Sequence, residues 1–63
     1  MINQFNIGDI IQHKSINDDY YYIVLNTFHR DTYEFYTLFS FIEMKEVPVR
    51  ANHSIHYKIV SKA

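Results

Sequence analysis

Along this chain, apolar and polar positions alternate cleanly only near the end. Val47, Val49 and Ala51 fall on one side of a strand, and Pro48, Arg50 and Asn52 on the other. Ile55, Tyr57 and Ile59 oppose His56 and Lys58 in the same way. Two-sided alternation of this kind predicts a half-buried antiparallel pair. Further upstream, neither side is polar. Tyr21, Ile23 and Leu25 oppose Tyr20, Tyr22 and Val24. Tyr33, Phe35, Phe39 and Phe41 oppose Tyr36, Leu38 and Ile42. This last run, 33–44, holds seven large apolar residues and Met44 in 12 positions.

Helix fits these patterns poorly. Ile, Val, Thr, Tyr and Phe dominate, and they suit strands. The run 33–44 has no N-cap followed by a period of about 3.6 residues. Five strands are predicted: 9–14, 20–28, 33–44, 46–51 and 55–60, with 61–63 as a tail. Asn17, Asp18 and Asp19 make a polar turn, as do His29, Arg30 and Asp31, and then Asn52, His53 and Ser54. Pro48 cannot donate to a ladder, which puts the fourth strand at an edge or in a bulge. The third strand is long enough to bend, at Thr37 or Ser40, and to serve a core with one face early and the other late. Gly8 is the only glycine, so the backbone there needs a conformation that other residues resist.

The run Phe5-x-Ile7-Gly8-Asp9-x-Ile11, a Tyr-rich second strand, a long third strand and a closing Tyr57-x-Ile59-Val60 together resemble a small SH3-like barrel. KOW-type domains and small phage and bacterial barrels open with a similar apolar-x-apolar-Gly-Asp-x-apolar turn. The resemblance implies an all-β antiparallel five-stranded barrel with a long bent third strand. The later glycine of KOW motifs is missing.

Length allows one small domain, 1–63, and a chain this short buries only about 60% of its unfolded surface. Cysteine is absent, so disulfides and thiolate metal sites are excluded. Stability must come from a dense aromatic core or from self-association. The net charge is −1 but unevenly spread. Residues 1–44 set Lys14 and Arg30 against Asp9, Asp18, Asp19, Asp31, Glu34 and Glu43, a net of −4. Residues 45–63 set Lys45, Arg50, Lys58 and Lys62 against Glu46, a net of +3. That imbalance predicts a basic face made by the last two strands.

The N-terminus has no basic region followed by an apolar one, as a signal peptide would. No apolar stretch approaches the ~20 residues of a membrane span. A cytoplasmic protein is expected, in the host cytoplasm if phage-encoded. Catalysis finds no support. The serines lie in no nucleophile context and there is no glycine-rich phosphate loop. His13, His29, His53 and His56 show no zinc spacing, so no metal or other cofactor is expected. Asp9 is expected to accept backbone amides in the opening turn.

The expected function is therefore a non-enzymatic, regulatory protein-binding module, such as a phage or mobile-element product docking on a host protein. Tyr20, Tyr22, Phe35, Phe39 and Phe41 are its candidate contacts, because aromatics in excess of the core mark interfaces. Homodimerisation through the second or third strand belongs to the same expectation. A nucleic-acid-binding barrel is the alternative, with Lys45, Arg50, His56, Lys58 and Lys62 on phosphate and aromatics stacking on bases. A structural subunit of a larger assembly is the third.

Overall fold

The opening turn is built on Gly8, whose φ of 95° lies where side-chain-bearing residues are strained. A Cβ added there would meet the Ala63 Cβ at 2.9 Å, so the turn also needs the space. We describe residues 5–14 and 20–63 of a computed structural model of the protein. The polar turn expected at Asn17, Asp18 and Asp19 lies outside the described residues.

Five strands follow: β1 (Ile10–His13), β2 (Tyr21–Arg30), β3 (Tyr33–Ser40), β4 (Lys45–Arg50) and β5 (Tyr57–Ser61). A 3-10 segment, Ala51–His56, separates the last two. All pairs are antiparallel, and the strands form one open sheet in the order β4-β3-β2-β1-β5. The fold is all-β. Pro48 lies on an edge strand, where its missing N–H interrupts no inner ladder.

Four expectations need correction. First, β4 and β5 are not neighbours. β4 pairs with β3 and β5 with β1, so the two strands form opposite edges. Their alternation reflects two separate half-buried edges, and Ala51, Asn52 and Ile55 belong to the 3-10 segment.

Second, the third strand stops at Ser40 rather than Met44. The buried Ser40 Oγ accepts the Glu43 N–H at 3.1 Å and its carbonyl accepts the Met44 N–H at 2.8 Å. This closes a tight turn over 41–44, with Met44 at φ 57°. Third, the irregularity lies in β2 and not β3. The register slips between Val24 and Asn26, leaving Leu25 as an extra residue opposite β3. The β2–β3 turn is also shorter than expected. His29 and Arg30 are still paired, and Asp31 and Thr32 turn the chain at φ 52° and 69°. Two positive φ values match the twist that a two-residue hairpin requires.

The core lies on one face of the sheet. Phe5, Ile11, Tyr22, Val24, Tyr36, Leu38 and Ala51 are buried, with Tyr20, Val47, Val49, Tyr57 and Ile59 packed around them. Phe5 and Tyr36 rings meet at 5.3 Å, and Tyr22 meets Tyr57 edge-on at 5.8 Å. Burial pushes both the Tyr22 and Tyr57 phenols above their ordinary pKa. The radius of gyration is 10.9 Å, against about 10.6 Å for a compact chain of this length.

Asp9 fastens this face. It is 1% exposed, and its carboxylate accepts the Asn6 N–H and the Ala63 N–H, each at 2.9 Å. The second contact joins residues 54 positions apart. The Asn6 and Ala63 amides hold the Asp9 pKa below its ordinary value despite burial, and Lys62 adds to the effect.

Candidate docking face

Residues paired across a sheet share a face, so the register assigns the opposite side of the sheet. One row there runs Ile10, Ile23, Phe39 and Glu46 across β1, β2, β3 and β4. A second runs Phe28, Phe35 and Arg50. Between them lie Asn26, Thr37 and Pro48, and beyond the second row Arg30 pairs with Tyr33. None of Ile10, Ile23, Phe28, Phe35 or Phe39 belongs to the core cluster, and each is only partly buried.

These side chains are organised rather than scattered. The Phe28 and Phe35 rings stack at 5.1 Å with 7° between their planes. The Arg50 guanidinium sits 4.0 Å above the centre of the Tyr33 ring, a contact worth about 0.5–1 kcal/mol at an exposed site. Phe39 and Phe41 meet edge-on at 5.8 Å. Tyr33 is 50% exposed and Phe41 45% exposed. Large apolar groups left in contact on a sheet face make it the candidate interaction surface.

The expected contact residues therefore separate. Phe35 and Phe39 lie on this outer face, and Phe41 continues it in the turn after β3. Tyr22 lies in the core and is 8% exposed. Tyr20 is half-buried against the core, its ring 6.5 Å from that of Tyr22. Ile10, Ile23, Phe28 and Tyr33 join the face without having been singled out in the sequence. The Leu25 bulge decides which way Phe28 points, and no local sequence signal marks it.

The basic residues separate as well. Lys45 and Arg50 lie at the two ends of one edge strand, and Lys58 on the other. His56 ends the 3-10 segment, and exposed Lys62 follows β5. Lys45 is 3.8 Å from Glu43. The basic face expected of the last two strands does not form as one patch.

His13, His56 and Tyr57 make a ring cluster, with His13 stacked 6.2 Å from His56 and edge-on 4.8 Å from Tyr57. His53 meets His56 at 6.0 Å. Among the described residues no group of three or more His, Cys, Asp or Glu comes together as a metal site. A shallow depression of about 370 Å³ lies between the β2–β3 turn and the 3-10 segment, with His29, Glu34, Arg50 and Asn52 in its wall. No helix among the described residues is long and apolar enough to cross a membrane. Comparison of the chain with protein-family models, curated proteins and solved structures found no match.

Proposed function

We propose that the chain is a small non-enzymatic protein-binding module with a regulatory role, built as an SH3-like barrel. Support for the barrel comes from β1 pairing with both β2 and β5, from the 3-10 segment just before the last strand, and from the compact dimensions. The observation that carries the function is the apolar outer face. Phe28, Phe35, Phe39, Phe41, Ile10 and Ile23 form the docking surface, and Arg50 on Tyr33 fixes one end of it. Rigid aromatic anchors of this kind supply much of the energy of protein interfaces.

The test places a photoreactive benzoyl-phenylalanine at Phe39 in one version of the full chain and at Lys62 in another. Irradiation in cells producing the protein is expected to give discrete protein adducts from position 39 and none from position 62. Adducts from neither position, or the same adducts from both, would overturn the proposal.

A nucleic-acid reading draws on one observation, the flat Phe28–Phe35 stack flanked by Arg30 and Arg50, since sheet aromatics beside cations can hold bases. It expects a gel shift at about 50 mM salt that weakens in Arg50→Glu and Lys58→Glu. No shift at micromolar protein removes it.

A further inference from the structure

The outer face carries its charges at its two ends. On β4 the outward positions are Glu46, Pro48 and Arg50. Arg50 shares its end with Arg30, while Glu46 shares the other with Glu43 in the 41–44 turn. Lys45 also lies at that second end, paired with Glu43, and Lys58 lies on β5, with three strands between it and β4. Between the ends the face is uncharged, with apolar rows on either side of a central row of Asn26, Thr37 and Pro48.

This pattern is self-complementary. Consider a two-fold axis in the plane of the face, running across the strands at the level of Thr37 and Pro48. Glu46 and Arg50 lie two residues either side of Pro48, and Phe39 and Phe35 two residues either side of Thr37. The rotation therefore sets Arg50 on Glu46 of the partner subunit, and Phe35 on Phe39 of the partner subunit. Every contact away from the axis occurs twice, as a closed two-fold interface requires. Sheets packed face to face align their strands within about 30°, an arrangement this rotation allows.

The size of the core supports the same conclusion. Seven buried hydrophobic residues hold the described fold together, and the chain has no cysteine. Small domains of this kind commonly draw on oligomerisation.

We infer that the docking face is filled by a second copy of this chain, giving a two-fold dimer of the sheet faces held at its ends by Arg50–Glu46 contacts. This rests on the docking-face proposal and names its occupant.

Sedimentation of the purified chain tests it. A dimer is expected, of micromolar affinity as suits a small interface. Phe35→Glu is expected to give a monomer. Arg50→Glu and Glu46→Arg each set like charges together in two symmetry-related contacts, and each is expected to weaken the dimer about tenfold or more. The double variant, Arg50→Glu with Glu46→Arg, restores the pairing and is expected to recover most of the affinity. Circular dichroism checks that every variant keeps its strand signal, and a variant that loses it is replaced by Phe39→Ser or by Arg50→Gln.

A monomer at about 100 µM, well above a micromolar dissociation constant, would overturn the inference. So would a dimer that the outer-face variants leave intact, which would point to pairing along the β5 edge. Failure of rescue in the double variant would overturn the two-fold arrangement. If the chain is a monomer yet position 39 still crosslinks to another protein, this inference fails and the docking-face proposal stands.

Discussion

Leu38 and Phe39 are neighbours in β3, yet they belong to different regimes. Leu38 points to the inner face and is 1% exposed, while Phe39 points to the outer face and remains half-buried. The two faces have similar apolar content, Ile11, Tyr22, Val24 and Tyr36 on one side and Ile10, Ile23, Phe28 and Phe35 on the other. The inner face is covered by Phe5, by Ala51 of the 3-10 segment and by the packed Tyr57 and Ile59. Among the described residues, nothing comparable covers the outer face. Apolar composition alone therefore does not distinguish the core face from the uncovered one. The distinction comes from which side the connecting segments fold over.

The largest effects should fall on the inner face. Tyr36→Ala is expected to cost about 3–5 kcal/mol, comparable to the whole stability of a domain this small. Phe35→Ala, one position away on the other face, is expected to cost under about 1 kcal/mol in the isolated monomer. Urea denaturation of both variants at low concentration checks this, and equal losses would break the comparison.

Asp9 comes next. Asp9→Ala removes a buried carboxylate and its two charge-assisted contacts with part-buried amides, and is expected to cost about 2–4 kcal/mol. Acid should act on the same contacts. The folded pKa of Asp9 lies below its unfolded value of 3.8, so its contribution is complete above that value and is lost as pH falls through the lower folded one. Wild type should therefore lose stability below about pH 4. An Asp9→Asn variant should show a weaker acid dependence, measurable as denaturation midpoints from pH 5 downwards.

The smallest effect is a gain. Thr32 holds φ at 69° with a β-branched side chain, and Thr32→Gly is expected to raise stability by about 1 kcal/mol. It should leave dimer affinity unchanged, because it lies at the hairpin tip. Parallel melting and sedimentation would show whether stability and association are separable, as the two faces require.

Much of the strand pattern was readable from residue order. Inward Tyr22 and Val24 and outward Tyr21 and Ile23 follow the alternation, and so do Tyr36 and Leu38 against Phe35 and Phe39. Pro48 announced an edge strand, and Gly8 with Asp9 announced the opening turn. The remainder depended on contacts distant in sequence. The Asp9–Ala63 bond has no local signature. The hairpin at Asp31 and Thr32 lacks the glycine that usually marks such turns. Ser40 reads as a bend within a longer strand and instead ends its strand, its Oγ accepting the Glu43 N–H. Strand order is the least legible feature, because the shared alternation of the last two strands predicts a pair, whereas β5 joins β1 and β4 joins β3 at opposite edges. For the candidate face, excess aromatic residues gave the right class of side chain. Composition does not separate core Tyr22 from its neighbours, because neither side of the second strand is polar, and Phe28 faces outward only because the Leu25 bulge precedes it.

The two-face account is tested most directly by substituting the adjacent pair. Leu38→Ala and Phe39→Ala would each be measured twice, by urea denaturation at about 1 µM and by sedimentation at about 100 µM, below and above the range where a micromolar dimer forms. Leu38→Ala is expected to cost about 2–5 kcal/mol in stability, while Phe39→Ala leaves the monomer near wild-type stability and weakens the dimer at least tenfold. Equal destabilisation by both substitutions, with association unchanged, would contradict the account.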